Sequence, residues 1–91
     1  MSKTSKKEAD WSVERILTNI KDVKLMSVFL KDLLTPSELE EIKRRLKIIG
    51  LLKQGMPQRE VAKKLKIAIA TITRGARMLK NPNGGFNKLF K

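Results

Sequence analysis

Cations dominate the side chains of this 91-residue chain that could do chemistry. Arg59, Lys63, Lys64, Arg77 and Lys80 fall in a stretch whose only acid is Glu60. Among them runs "KIAIATITRG", Lys66–Gly75. Its Ile69 can pack on a thymine methyl, and its Thr73 can bond a base edge or a phosphate. The flanking cations would neutralise phosphates, which positions a reader without specifying sequence. Catalysis has far less to draw on. With no His and no Cys, the commonest general base and metal ligand is missing, as is every thiolate site. No pairing of nucleophile with base and no metal-ligand cluster is visible, so no enzyme is expected.

The charge is placed as unevenly as the chemistry. Net charge is +12, but residues 1–41 carry 7 Lys and Arg against 8 Asp and Glu, a net of −1. Residues 42–91 carry 14 Lys and Arg against Glu60 alone, a net of +13. Self-repulsion on that scale weakens a compact state unless a polyanion screens it. Nucleic acid is the first expected partner, ahead of an anionic membrane surface or an acidic protein, and the helix-turn-helix read below makes it double-stranded DNA. No apolar run is long enough to span a membrane, and "MSKTSKKEADW" lacks the apolar core of a secretory signal. A cytoplasmic protein with no membrane partner is expected.

What the reader residues can do depends on the element that carries them. Ile and Thr favour strands locally. The apolar positions Ile67, Ile69 and Ile72 do not alternate, however, and Ile72, Ala76 and Leu79 continue at helical spacing. Before them, Gly55 and Pro57 mark a turn into "QREVAKKLK", where Val61, Ala62 and Leu65 share one face. Two short helices joined by a few residues make a helix-turn-helix over residues 57–77. Val61, Ala62, Leu65, Ile67 and Ile72 are its interior. The expected DNA-binding set is Arg59, Lys63, Lys64, Ala68, Ile69, Ala70, Thr71, Thr73, Arg77 and Lys80. Lys66 takes the turn position usually given to Gly; a left-handed backbone there costs about 1–2 kcal/mol. Gly75 inside the second helix costs about 1 kcal/mol relative to Ala. Both predict local mobility.

The upstream residues read as the scaffold. A basic arm is expected at 1–8 and one helical domain over 9–91. From Trp11 to Leu34 apolar residues recur at steps of three and four, with a break predicted near Lys21–Lys24. Residues 9–34 read as dimerisation helices, with Trp11 in core or subunit packing. "TPSE", Thr35–Glu38, is a capping box with Pro at the first helical position, so a helix is predicted over 36–54. Its stripe of Leu39, Ile42, Leu46, Ile49 and Leu52 or Lys53 is widened by Ile48 and Leu51 beyond what so short a chain could cover alone. A partner chain is therefore expected. Residues 81–91 form a short closing segment, with Phe86, Leu89 and Phe90 on one helical turn.

Over Trp11–Lys80 the chain resembles the tryptophan repressor family, most closely in "QREVAKKLKIAIATITRGA" and in "LTPSE". The family is itself a standard example of helix-turn-helix docking and of water-mediated operator contacts. The resemblance implies an all-α, intertwined homodimer on a two-fold operator, with half-sites roughly 34 Å apart. It also implies L-tryptophan as corepressor, its indole held between two arginines, here Arg45 and Arg74, with Leu34, Thr35 and Gly75 at other lining positions. Met78 stands where the family offers a Ser hydroxyl to the ligand's amino group, and a thioether is only a weak acceptor. The turn before "QRE" is one residue shorter than in the best-known members, and Pro57 replaces the usual Ser or Thr cap.

Two functions remain open at this level. One is a homodimeric transcriptional regulator, a repressor controlled by L-tryptophan or a related ligand. The other is a ligand-independent, charge-driven nucleic-acid-binding or architectural protein built on the same helices.

Overall fold

A computed structural model describes residues 10–91, and the arm expected at 1–8 lies outside the described residues. The described residues divide into two compact units, the first ending at Leu39 and the second spanning Glu40–Lys91.

In the first unit α1 spans Val13–Thr18 and α2 spans Val23–Leu33. Each begins at a side-chain cap. The Arg15 N–H donates to Ser12 Oγ at 3.3 Å, and the Leu25 N–H donates to Asp22 Oδ2 at 3.2 Å. The break therefore lies at Asn19–Asp22, slightly earlier than Lys21–Lys24, because a capping Asp22 commits Val23 and Lys24 to the new helix. Next comes α3, Pro36–Lys53. The Thr35 N–H donates to Glu38 Oε1 at 2.9 Å and the Glu38 N–H donates to Thr35 Oγ1 at 3.2 Å. That reciprocal pair satisfies two otherwise orphaned donors and sets the start of α3 at Pro36. No residue of α1 or α2 is buried. Trp11 is 79% exposed, so it packs into no core among the described residues.

In the second unit, α3 is followed by α4 (Gln58–Leu65), α5 (Ile69–Met78) and α6 (Gly85–Leu89). The core is Ile48, Val61 and Ile72, with Leu51, Leu52, Met56, Ala62, Leu65 and Ile67 packed around it. Burying such side chains contributes about 1.5–3 kcal/mol each. That tertiary gain is why the Ile-rich segment is helical despite its β-branched residues. Gly55 ends α3 in a left-handed turn with φ 98°. There Met56 N–H donates to the Leu51 carbonyl at 3.2 Å and Gly55 N–H to the Leu52 carbonyl at 3.0 Å, the double closure of a Schellman turn. Lys66 ends α4, also left-handed at φ 57°, with its own N–H and that of Ile67 both donating to the Ala62 carbonyl. Asn87 ties α6 down. Its Nδ2 donates to the carbonyls of Leu79 at 3.0 Å and Asn81 at 2.8 Å, and its Oδ1 accepts from Lys53 Nζ at 2.9 Å.

Candidate nucleic-acid interface

Val61 and Ile72 have no accessible surface, and they lock α4 and α5 together over Ile48 of α3. The packing decides which side chains remain outside. Arg59, Lys63 and Lys64 of α4 are exposed, as are Ala68, Ile69, Ala70, Thr73, Arg77 and Lys80 in and around α5. Ile69 is 49% exposed while Ile72, one turn on, is fully buried. Ala68 sits at the N-cap of α5 and offers it no side-chain bond.

Thr73 Oγ1 donates to Gln58 Oε1 at 2.9 Å, joining α5 to the start of α4 on the exposed surface. The bond spends the one hydroxyl proton, leaving Thr73 as an acceptor and the Gln58 amide with two donors. Gln58 was not singled out in the sequence; nothing in its spacing pairs it with a residue fifteen positions away. Thr71, expected among the DNA-facing residues, is half-buried and turned into a cavity on the other side of α5. On a helix, position 71 shares its face with 74, 75 and 78 rather than with 69 and 73.

That cavity, of about 290 Å³, lies between α3 and α5 and is closed on one side by Phe86 of α6. Arg45 and Arg74 both line it, with Gly75 and Met78, so four of the six expected ligand-binding positions meet there. The other two, Leu34 and Thr35, belong to the first unit, where Thr35 is committed to the cap of α3. Ile48 and Ile49 supply an apolar floor. A Cβ on Gly75 would stand 3.3 Å from Ile48 Cγ2, so the missing side chain is what lets α5 lie this close to α3. Glu41 also lines the cavity. Its Oε1 accepts from Arg44 at 2.9 Å, and its Oε2 lies 3.7 Å from Arg45 Nη2.

The donor set suits a small molecule with a flat apolar body and a carboxylate. Guanidinium forks bind carboxylates bidentately and stack on aromatic faces. An ammonium group fits less well. Met78 is a weak acceptor, the Glu41 oxygens already face two guanidiniums, and the Thr71 hydroxyl remains. The volume is near the lower end of ligand sites, roughly 300 Å³, which restricts the occupant to about amino-acid size. Glu41, Arg44, Ile48, Ile49 and Phe86 were not predicted as lining residues. The two Ile were legible only as core stripe, and Phe86 arrives from a segment with no periodic link to α3. Among the described residues no cluster of acids could hold a metal ion, and no helix is long and apolar enough to cross a membrane.

These elements define an all-α helix-turn-helix protein. The family model described as Trp repressor protein matches residues 9–91. A Trp operon repressor homolog of Actinobacillus succinogenes is 44% identical over 69 residues, covering 75% of this chain and 67% of the relative. Homologs of the same name from Haemophilus influenzae and Aliivibrio salmonicida are 41% identical over 64 residues and 37% over 79. Those matches cover 69% and 85% of this chain, and 63% and 73% of the relatives. No solved structure matches. The chain belongs to the Trp repressor protein family, a family of transcription regulators and not of enzymes.

Proposed function

We propose that this chain is a homodimeric, sequence-specific DNA-binding transcriptional repressor whose affinity is tuned by L-tryptophan or a related small carboxylate. The observation that carries the reading is the outer end of α5. Ile69, Ala70 and Thr73 stand exposed there, flanked by Arg59, Lys63, Lys64, Arg77 and Lys80. With no side chain capping it at Ala68, the positive end of α5 is left for a phosphate or base edge. Bases would be read by Ile69 and Thr73, and phosphates neutralised by the cations.

The dimer is supported by what the chain leaves uncovered. Trp11, Val23, Leu25, Val28 and Leu33 are all more than half exposed, and Ile42 and Leu46 of α3 are exposed as well. Helices that bury nothing of their own gain stability only by packing on something else. Two copies would present two α5 helices to successive major grooves, one turn of duplex apart. Ligand control is supported by the cavity between α3 and α5. A carboxylate gripped by Arg45 and Arg74 would bridge the two helices and bias the angle of α5. It could shift DNA binding only by preferring the DNA-competent arrangement.

The test is selection from a random duplex pool at about 0.15 M salt. Enrichment of a two-fold symmetric sequence, bound by a dimer in sedimentation analysis, is the expected result. Recovery of no sequence preference would leave only charge-driven binding, as the net of +13 on residues 42–91 could supply by itself.

A further inference from the structure

Two helices of the second unit close left-handed but with different residues at the turn. α3 closes at Gly55, φ 98°, and α4 at Lys66, φ 57°. In each, the next residue reaches back across the turn, Met56 N–H to the Leu51 carbonyl and Ile67 N–H to the Ala62 carbonyl. Left-handed backbone crowds the Cβ of any L side chain, and glycine escapes that crowding. Lysine bears that crowding where glycine would not, and a cation at a helix C-terminus recovers only about 0.3–1 kcal/mol of it from the helix dipole; its side chain also reaches beyond the turn.

It reaches a groove of about 600 Å³ between α3 and the end of α4, lined also by Lys43, Arg44 and Lys47 of α3. The single acid of that groove is Glu40, which takes Lys43 at 3.4 Å. Arg44 is held by Glu41, which does not line the groove. Lys47 and Lys66 make no ion pair among the described residues. Four cations against one carboxylate make the groove strongly positive. Of its lining residues only Arg44 is shared with the cavity holding Arg45 and Arg74.

We propose that this groove is an additional phosphate-binding surface for duplex DNA, taking the backbone beside the stretch read by α5, and that Lys66 is held in a left-handed turn for its charge. The proposal rests on the DNA-binding reading of α5. Lys66 stands three residues before Ile69, at most about 10 Å along the backbone, so one duplex can reach both. Such a contact adds affinity and salt dependence without adding sequence preference.

The experiment compares wild-type protein with Lys66→Gly, Lys66→Ala and Lys47→Ala, by thermal melting and by duplex titration across salt. Lys66→Gly should move the two readouts in opposite directions. Its melting temperature should rise by a few degrees as the strain is removed. Its affinity should fall about 5-fold for every duplex alike, with the salt slope reduced by about one unit per lysine lost. Lys66→Ala should lose the same affinity without the gain in melting temperature. Lys47→Ala should lose affinity with its melting temperature unchanged. Wild-type affinity and slope in Lys66→Gly would overturn the proposal. So would tripolyphosphate raising the melting temperature of the wild type but not of Lys66→Gly while duplex binding stayed equal, since the groove would then serve a free polyanion. Failure of the wild type to bind any duplex would instead overturn the reading of α5 on which this proposal rests.

Discussion

Ile69 and Ile72 are the same residue type one turn apart on α5, and replacing each with Ala should have opposite consequences. Ile72 has no accessible surface and packs against Ile48 and Val61. Truncating a fully buried Ile costs about 2–5 kcal/mol, a large part of the roughly 5–15 kcal/mol that holds a domain together. Ile69 is 49% exposed, so its truncation should cost under about 1 kcal/mol of folding free energy. On DNA the order reverses. If the outer Ile69 methyls pack against a thymine methyl, losing them removes the burial of one to two carbon groups, about 1–2 kcal/mol per half-site at roughly 0.8 kcal/mol each. That is about 5–30-fold per half-site, and roughly 25–900-fold over both half-sites of a two-fold duplex, in preference for the selected duplex over a scrambled one. Urea denaturation and fluorescence anisotropy on both duplexes, at one salt concentration, separate the effects. Ile69→Ala should keep its denaturation midpoint and lose selectivity, while Ile72→Ala should lose its midpoint. An Ile69→Ala protein that melts early, or that weakens equally on both duplexes, would refute the placement of Ile69 on the reading surface.

The other predictions concern the elements that hold that surface and the cavity behind it. Thr35→Ala removes one arm of the reciprocal cap on α3 and should destabilise by about 1 kcal/mol, measured as a lower urea midpoint. Gly75→Ala places a Cβ 3.3 Å from Ile48 Cγ2. Its helix gain of about 1 kcal/mol offsets that crowding, so calorimetry with L-tryptophan should lose its heat while stability changes little. Arg74→Leu should also abolish that heat, and should leave duplex binding without ligand in place. Asn87→Ala removes three hydrogen bonds around α6. It should cost about 1–2 kcal/mol and raise the hydrogen-exchange rate of residues 85–89, loosening the Phe86 wall.

Legibility in the sequence followed the range of the interaction. The cap at Thr35–Glu38 is local, and the start of α3 at Pro36 could be read from four residues. The helix-turn-helix was readable because Val61, Leu65, Ile67 and Ile72 keep their spacing across the turn, and Lys66 is left-handed where that turn demands it. The caps at Ser12 and Asp22 carried the same kind of signal. Asp22 is what moves the break between α1 and α2 from Lys21–Lys24 to Asn19–Asp22. Contacts between distant segments left no such trace. The Gln58–Thr73 bond, the anchoring of α6 by Asn87 and the entry of Phe86 into the cavity wall depend on how packed helices approach one another. Thr71 shows the limit within a single helix. Its number placed it beside Ile69 and Thr73, but 100° per residue turns it toward Arg74 and Met78.

One titration series bears most directly on the proposal that α5 reads duplex sequence. Affinities for a selected duplex and for a scrambled one of the same length are measured from about 0.05 to 0.3 M salt. Both should fall steeply as salt rises, since cations on residues 42–91 release counterions from either duplex. Their ratio should hold at about 10³ or more throughout, because base contacts do not depend on that release. A ratio near one at every salt concentration would contradict the proposal.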